Sequence, residues 1–180
     1  GRSNIISRLE NYGVKINSKD PKIQKILDEV KGREFSGYSY DGADASFELL
    51  ANKLLGKLPE YLKVKNYNVN VKKDKDLKTT AEVTFIIDGK EINCEGEGNG
   101  PVNALDNAIR SNFKKVEKYY KYFSDLKLLD YKVRILNTGT EATTRVLIES
   151  TDKKGISWFT VGVSPNIIEA SFRALIDSLD

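Results

Sequence analysis

The side chains of this chain that could take part in chemistry recur in two matching sets. Each set follows a β-like run that ends in small residues and a proline. A shared spacing with different side chains in between indicates an internal duplication. Each set holds an Asn, an acid and an Arg, spaced by three and then four residues: Asn103, Asp106 and Arg110 in the first, and Asn166, Glu169 and Arg173 in the second.

Each Asn stands where an apolar helix is predicted to begin, and such a helix start attracts a negative charge. A helix start contributes roughly 0.3–2 kcal/mol to carboxylate binding, whereas micromolar affinity needs about 8 kcal/mol. Burial of apolar ligand surface must supply the rest, so a small amphiphile such as a branched-chain amino acid fits. The alternative, that Asn103 and Asn166 only start their helices, stays open.

The acid and the Arg of each set are four residues apart. This spacing is typical of surface ion pairs on a helix, worth a few tenths of a kcal/mol. We therefore expect structural ion pairs at Asp106–Arg110 and Glu169–Arg173, and no pair of catalytic acids.

Composition restricts the function further. The chain of 180 residues is 39% hydrophobic and can bury a core. Its 29 basic and 26 acidic residues leave a net charge of +3, which permits a nucleic-acid partner without demanding one. Histidine is absent, and with it the commonest general base and transition-metal ligand. We expect no catalytic residue and no metal site.

Cysteine and hydropathy point to a compartment. Cys94 is the single cysteine, so no disulfide can form within the chain, as is typical of the reducing cytoplasm. We expect its side chain to be buried, because it lies on the apolar phase of a strand. No apolar run approaches the roughly 20 residues that cross a bilayer, and no signal-peptide pattern stands at the start. We expect a cytoplasmic protein without membrane contact.

The first part of the chain has helical periodicity. Asp20 and Pro21 are typical of an N-cap and a first helical residue, and this helix is expected to stop near Gly32. A second helix is predicted from near Asp41 to Gly56. Two short amphipathic helices need another surface to pack on, so residues 1–60 are predicted to be a helical linker subdomain.

From residue 62 the apolar period becomes two, and the pattern βββα occurs twice. The fold class is therefore α+β, with a helical linker subdomain followed by two βββα units, 61–124 and 125–180, as one regulatory domain. Apolar surface left uncovered by each unit favours a homodimer. The strands are predicted at 67–71, 77–87, 92–96, 131–135, 142–148 and 158–163, and the helices from Pro101 and, capped by Ser164, from Pro165.

Five stretches together resemble the C-terminal half of the bacterial citramalate synthases, which are relatives of the 2-isopropylmalate synthases. The opening GRSNI resembles the segment that follows the catalytic barrel in these enzymes. The stretches are GYSYDGADASFELL (37–50), GEGNGPVNALDNAIR (96–110), LLDYKVRIL (128–136), RVLIESTD (145–152) and TVGVSPNIIEASFRALIDS (160–178).

The resemblance implies that residues 1–60 are the linker subdomain and residues 61–180 an allosteric domain that dimerises and binds an end-product amino acid. That effector is isoleucine in citramalate synthases and leucine in the sister enzymes. The parent reaction condenses acetyl-CoA with pyruvate on a divalent metal held in a TIM barrel. That barrel lies outside this stretch, which is expected to be inactive alone and to carry no cofactor.

The resemblance also implies an effector pocket. The family often has Asp where Asn103 stands, so a charge that would pair with the effector's ammonium group is missing. The pocket residues carried over are Val102, Asn103, Leu128, Tyr131, Ile135, Thr140, Ala142, Pro165 and Asn166.

Two alternatives remain at this point. The effector could be leucine, as in a 2-isopropylmalate synthase. From another class, residues 41–118 have the order αβββα of a double-stranded RNA-binding module. Against that module, Glu95, Glu97 and Asp106 lie where phosphates would approach.

Overall fold

The computed structural model describes residues 1–11, 17–40, 42–56, 62–87, 89–112, 126–136 and 142–179. Within these ranges the chain forms five helices and six strands. The helices are α1 Arg2–Asn11, α2 Pro21–Phe35, α3 Asp44–Leu54, α4 Pro101–Asn112 and α5 Ile167–Leu179. The strands are β1 Leu62–Lys73, β2 Leu77–Ile87, β3 Lys90–Gly98, β4 Lys127–Ile135, β5 Thr144–Thr151 and β6 Ser157–Ser164.

The strands form two three-stranded antiparallel sheets, in the orders β1-β2-β3 and β4-β5-β6. The predicted α+β class, with helices followed by two βββα units, is confirmed.

The chain divides into two compact units. The helices α1–α3 share a unit with most of the second repeat, and the first repeat forms the other unit. The predicted division into a linker subdomain, 1–60, and one regulatory domain, 61–180, stays a prediction. One unit holds Gly1–Pro59, Leu128–Ser150 and Ser157–Asp180, and the other holds Glu60–Lys127 and Thr151–Ile156.

In the first repeat, alternation along β2 decides which face is buried. Val83 and Phe85 are buried, and Val83 pairs with Cys94 of β3, which is buried as predicted. Gly89 has φ +77°, which a tight hairpin turn favours, although Asp88 of that predicted turn lies outside the described residues. The inner face of the sheet therefore packs on the apolar side of α4.

Helix α4 begins at Pro101 as predicted, and it lies very close to β3. A Cβ atom on Gly96 would stand 2.3 Å from the backbone nitrogen of Ala108. Glycine is required there because any side chain would push the helix off the strand. The predicted continuation of α4 to Phe113 and Val116 lies outside the described residues.

In the second repeat, Gly162 of β6 likewise allows α5 to lie very close to the strand. Helix α5 begins at Ile167, two residues later than predicted. The predicted N-cap, Ser164, was wrong: Asn166, two residues later, caps the helix. Ser164 instead accepts a hydrogen bond from the Asn166 N–H in the preceding turn (3.1 Å). Because Pro165 has no N–H to give, the first amide that Ser164 meets is that of Asn166.

The helices α1–α3 and the inner side of β6 share one core. Helix α2 starts at Pro21 with Asp20 as its N-cap, as predicted. It continues to Phe35, beyond the stop expected at Gly32, because one glycine inside a helix costs only about 1 kcal/mol. Helix α3 begins at Asp44, later than expected. The buried members of this core include Ile5, Leu9, Ile23, Ile26, Phe47, Leu50, Val161 and Val163.

Candidate functional site

The two predicted ion pairs are confirmed. Arg110 Nε donates to Asp106 Oδ1 over 2.8 Å on α4, and Arg173 Nε donates to Glu169 Oε1 over 2.9 Å on α5. Each pair spans one helical turn within one helix. Each acid is therefore paired with the arginine of its own helix.

The two asparagines both use their side-chain oxygens on backbone N–H groups. Asn166 accepts from Ile168 N (2.8 Å) and from Glu169 N (3.3 Å), which is the geometry of an N-cap. Asn103 accepts from Asn99 N (3.0 Å) in the loop before α4. These bonds give both residues a structural role, and their contact with an effector stays a prediction.

The edge strand β4 carries three of the predicted pocket residues. Tyr131 and Ile135 lie on one face of β4 and Leu128 on the other, because side chains alternate along a strand. The Tyr131 hydroxyl lies 3.1 Å from Ser171 Oγ on α5. Ser171 already donates to the Ile167 carbonyl (2.7 Å), so Tyr131 is the donor. This bond ties β4 to the first turns of α5.

The face of β4 that carries Tyr131 is otherwise open. Leu129 is 54% exposed, Val133 41% and Ile135 66%. These side chains lie on the same face of β4 as Tyr131, which contacts α5, but the helix leaves them exposed. A row of exposed apolar residues along one strand indicates a surface that a partner covers.

The structure brings together only part of the predicted pocket. Pro165 and Asn166 are exposed at the start of α5, and Ala142 is half-buried before β5. Val102 and Asn103 belong to the unit of the first repeat. Thr140 lies outside the described residues. The pocket as a whole therefore stays a prediction.

Sequence reasoning missed a cleft of about 840 Å³ within the unit that holds α2 and α5. Its walls come from the end of α2, the segment after it, the end of β6 and α5. No spacing rule could have found it, since its two helical walls lie at opposite ends of the chain. The lining includes Glu29, Arg33, Tyr38, Val161, Val163, Pro165, Glu169, Phe172, Arg173 and Asp177.

Two arginines meet on one tyrosine in this cleft. The Arg33 guanidinium lies 5.5 Å from the centre of the Tyr38 ring and donates to Glu29 (2.9 Å). Arg173 donates to the Val163 carbonyl (2.7 Å). Burial acts to lower the pKa of Arg173, but hydrogen bonds with Tyr38 and Glu169 outweigh it and leave that pKa above its ordinary value. Both guanidiniums stay charged.

Tyr40 lies behind Tyr38, with the two rings stacked 5.8 Å apart. Burial raises the pKa of Tyr40 to about 12, although the nearby Arg33 charge acts in the opposite direction. Tyr40 is therefore a neutral phenol at physiological pH.

Helical membrane spans and metal sites are both absent from the described ranges. No helix there has the length and apolar character of a membrane span. The described ranges hold no group of three or more His, Cys, Asp or Glu side chains that could bind a metal ion.

Comparison with known proteins decides the family. Residues 41–180 match the model of the LeuA allosteric (dimerisation) domain. The chain belongs to the LeuA allosteric (dimerisation) domain family. The expectation that the chain contains an allosteric domain of this family is confirmed.

The relatives of this LeuA-family chain include (R)-citramalate synthases along its whole length. It is 46% identical to the enzyme of Geobacter sulfurreducens over 185 residues, covering 100% of this chain, and 44% identical to that of Aquifex aeolicus, covering 99%. In both cases it spans 34% of the relative's length. The 2-isopropylmalate synthase of Clostridium acetobutylicum is 35% identical over 71% of this chain and 21% of its own length.

The resemblance to citramalate and 2-isopropylmalate synthases is thus confirmed. The double-stranded RNA-binding alternative gains no support, since residues 41–118 fall inside the matched domain. In addition, α3 belongs to a different compact unit from β1, β2, β3 and α4, so the order αβββα does not form one module.

Proposed function

We propose that this chain is the isoleucine-sensing, dimerising region of a citramalate synthase, and that it mediates feedback inhibition. The relatives named (R)-citramalate synthase cover the whole chain, whereas the 2-isopropylmalate synthase relatives cover 56–71% of it. This difference supports the citramalate branch and, with it, isoleucine as effector. Leucine sensing is the second candidate, because 2-isopropylmalate synthases share the domain.

The observation that carries the proposal is the open apolar face of β4. Leu129, Val133 and Ile135 are exposed on the same face as Tyr131. In a family whose domain is described as dimerising, the occupant that fits this face is a second copy of the chain. Burial of these side chains at about 25 cal/mol per Å² would drive the association.

The effector would bind beside this surface. Its carboxylate would lie at the start of α5, where the helix dipole favours a negative charge. Its branched side chain would pack on Tyr131 and Ile135 of β4. Because the same strand would serve effector and partner, binding would change packing at the dimer interface, with a coupling of about 1–3 kcal/mol.

The remaining steps belong to the longer protein. The chain spans 34% of the length of the citramalate synthases it matches. We propose that the condensation of acetyl-CoA with pyruvate, and the divalent metal for it, belong to another part of that protein, in the cytoplasm, and that this region carries no cofactor.

Two measurements test the proposal. The mass of the chain in solution, from light scattering, should be that of a dimer. The substitution Val133→Asp should give a folded monomer, because a charge cannot be buried in that interface without a partner. Lys132→Asp, on the opposite face of β4, is the matched control and should leave the dimer intact. A monomeric unaltered chain would contradict the dimerisation part.

Isothermal titration with isoleucine and leucine, each separately, tests the sensing part. We expect preferential binding of isoleucine, and its loss in folded Tyr131→Ala and Asn166→Ala variants. Preference for leucine would move the chain to the second candidate. Unaltered isoleucine affinity in both variants would overturn the pocket.

A further inference from the structure

We propose that Asn99 is a site of spontaneous deamidation, in which the backbone nitrogen of Gly100 attacks the Asn99 side chain. The pair lies between β3 and α4 and is the one Asn-Gly step in the sequence. Asn99 is exposed, so the water and hydroxide that the reaction consumes can reach its amide group. The modification requires neither an effector nor a second copy of the chain, so it is independent of the proposed function.

The reaction begins when hydroxide removes the proton from the Gly100 backbone nitrogen. That nitrogen bonds to Asn99 Cγ, the Cγ–Nδ2 bond breaks, and Nδ2 leaves as ammonia. The product is a cyclic succinimide. Water then opens the ring at either of its carbonyl carbons, which leaves Asp or isoaspartate in place of the asparagine. The chain gains one negative charge, and no atom is oxidised or reduced.

The Gly100 N–H is available for this attack. Its neighbour on one side, the Asn99 N–H, donates to Asn103 Oδ1 (3.0 Å). The Gly100 carbonyl accepts from the Ala104 N–H (2.9 Å), and in the described part of the chain no group accepts a hydrogen bond from the Gly100 N–H. Amides at a helix start have no acceptor within their own helix. The nitrogen can therefore lose its proton without first breaking a bond to a described residue.

Gly100 also leaves the attacking nitrogen unhindered, although the fold does not require glycine there. A Cβ atom on Gly100 would have no heavy atom within 4 Å, and the φ angle of Gly100 lies outside the left-handed region. Gly98 differs, because a Cβ atom there would stand 2.4 Å from Asn103 Oδ1. Gly98 is needed for packing, whereas Gly100 contributes backbone freedom next to a reactive amide.

Deamidation would change the start of α4. Isoaspartate carries the main chain through its side-chain carbon, so the backbone between residues 99 and 100 becomes longer by one atom. The close approach of Gly98 to Asn103 leaves little room for that atom. We therefore expect the hydrogen bond from the Ala104 N–H to the Gly100 carbonyl to weaken. The Asp product keeps the backbone and adds a carboxylate beside a helix start, which the helix dipole favours.

The test is peptide mapping by mass spectrometry of the folded chain of 180 residues, aged at neutral and at mildly alkaline pH. We expect the peptide that holds Asn99 to gain about 1 Da, as isoaspartate and Asp, at a rate that rises with pH. Asn68 is the internal control, because it is also exposed but lies within β1 and precedes Val69, whose branched side chain hinders the attack. It should stay unmodified over the same time.

Variants separate the chemistry from its consequence. Gly100→Ala places a methyl group in open space, so the chain should stay folded by circular dichroism, but ring closure is hindered and deamidation should slow about tenfold or more. In the aged unaltered chain, the Ala104 N–H should exchange with solvent about tenfold faster than before. Asn99→Gln has a longer side chain that cannot form the succinimide, and its Ala104 exchange should not change with age.

Two results would overturn the site. One is conversion at Asn99 of the folded chain that is no faster than at Asn68. The other is an unaltered rate of conversion in Gly100→Ala. Unchanged exchange of the Ala104 N–H in a fully modified chain would overturn the effect on α4.

Discussion

The hydroxyl of Ser46 on α3 donates a hydrogen bond to Asp177 Oδ2 on α5 over 2.9 Å. The Ser46 hydroxyl oxygen also accepts a hydrogen bond from the backbone N–H of Val161 on β6, over 2.9 Å. Ser46 is 3% exposed. One buried hydroxyl therefore ties an N-terminal helix to the last strand and the last helix of the second repeat.

Removing this hydroxyl is the first prediction. Ser46→Ala removes the acceptor of the buried Val161 N–H and the donor to the half-buried Asp177 carboxylate, and we expect a loss of about 1–3 kcal/mol of unfolding free energy. Urea denaturation measures it. The control is Ser36→Ala, whose exposed hydroxyl donates to the Gly32 carbonyl, and which should change stability by less than about 0.5 kcal/mol. Equal losses in both variants would contradict the role of Ser46.

Two glycine-to-alanine substitutions should change the stability of the chain in opposite directions. A Cβ atom on Gly162 would stand 2.0 Å from the Ala170 carbonyl oxygen, so Gly162→Ala must push α5 off β6 and should cost at least about 1–3 kcal/mol. Gly32 lies within α2 with no atom near its Cβ position, and Gly32→Ala should stabilise by roughly 0.5–1 kcal/mol. Thermal unfolding of both variants checks the signs, and a stabilised Gly162→Ala chain would refute the close packing.

Asn166 allows the cap and the effector contact to be separated. Asn166→Ala removes the acceptor for the Ile168 N–H and should cost about 1 kcal/mol of stability. Asn166→Asp keeps that acceptor and adds a charge that the helix dipole favours, so its stability should be unchanged or higher. A ligand carboxylate at this helix start would be repelled by the same charge. Normal stability with weakened isoleucine binding in Asn166→Asp is therefore expected, and unchanged binding would argue against this placement.

Ionisation of the buried Tyr40 should lower the stability of the chain at high pH. Burial raises its pKa to about 12 from an ordinary value near 10. The folded state thus favours the neutral phenol: its contribution is complete below pH 10 and is lost between about pH 10 and 12 as the unfolded chain ionises first. A shift of this size corresponds to at most roughly 3 kcal/mol. The difference in unfolding free energy between the unaltered chain and Tyr40→Phe, measured from pH 8 to 12, should shrink across that window; a constant difference would contradict it.

Several elements could be predicted because their causes are local. The alternation along β2, the Gly89 turn and the Pro101 helix start each depend on a few neighbouring residues. The ion pairs Asp106–Arg110 and Glu169–Arg173 follow in the same way from one helical turn. These features appear in the structure where the sequence had indicated them.

Other boundaries moved because two local signals competed. Ser164 and Asn166 are both good N-caps, and the sequence alone favoured the first. The proline between them lets Ser164 form a turn with Asn166 and leaves the helix start to Asn166. Gly32 likewise signalled a stop, but the packing of α2 outweighs the small cost of one glycine.

The sequence by itself determined the α+β class, the duplicated βββα pattern and the family, since all three depend on residue types at short, regular spacings. Only the tertiary structure decided that Ser46 bonds to Asp177 and that Arg33 and Arg173 meet on Tyr38. Such contacts join residues far apart along the chain, and no periodicity encodes them. They form because helices α1–α3 need an apolar surface to pack on, and that surface is the second repeat.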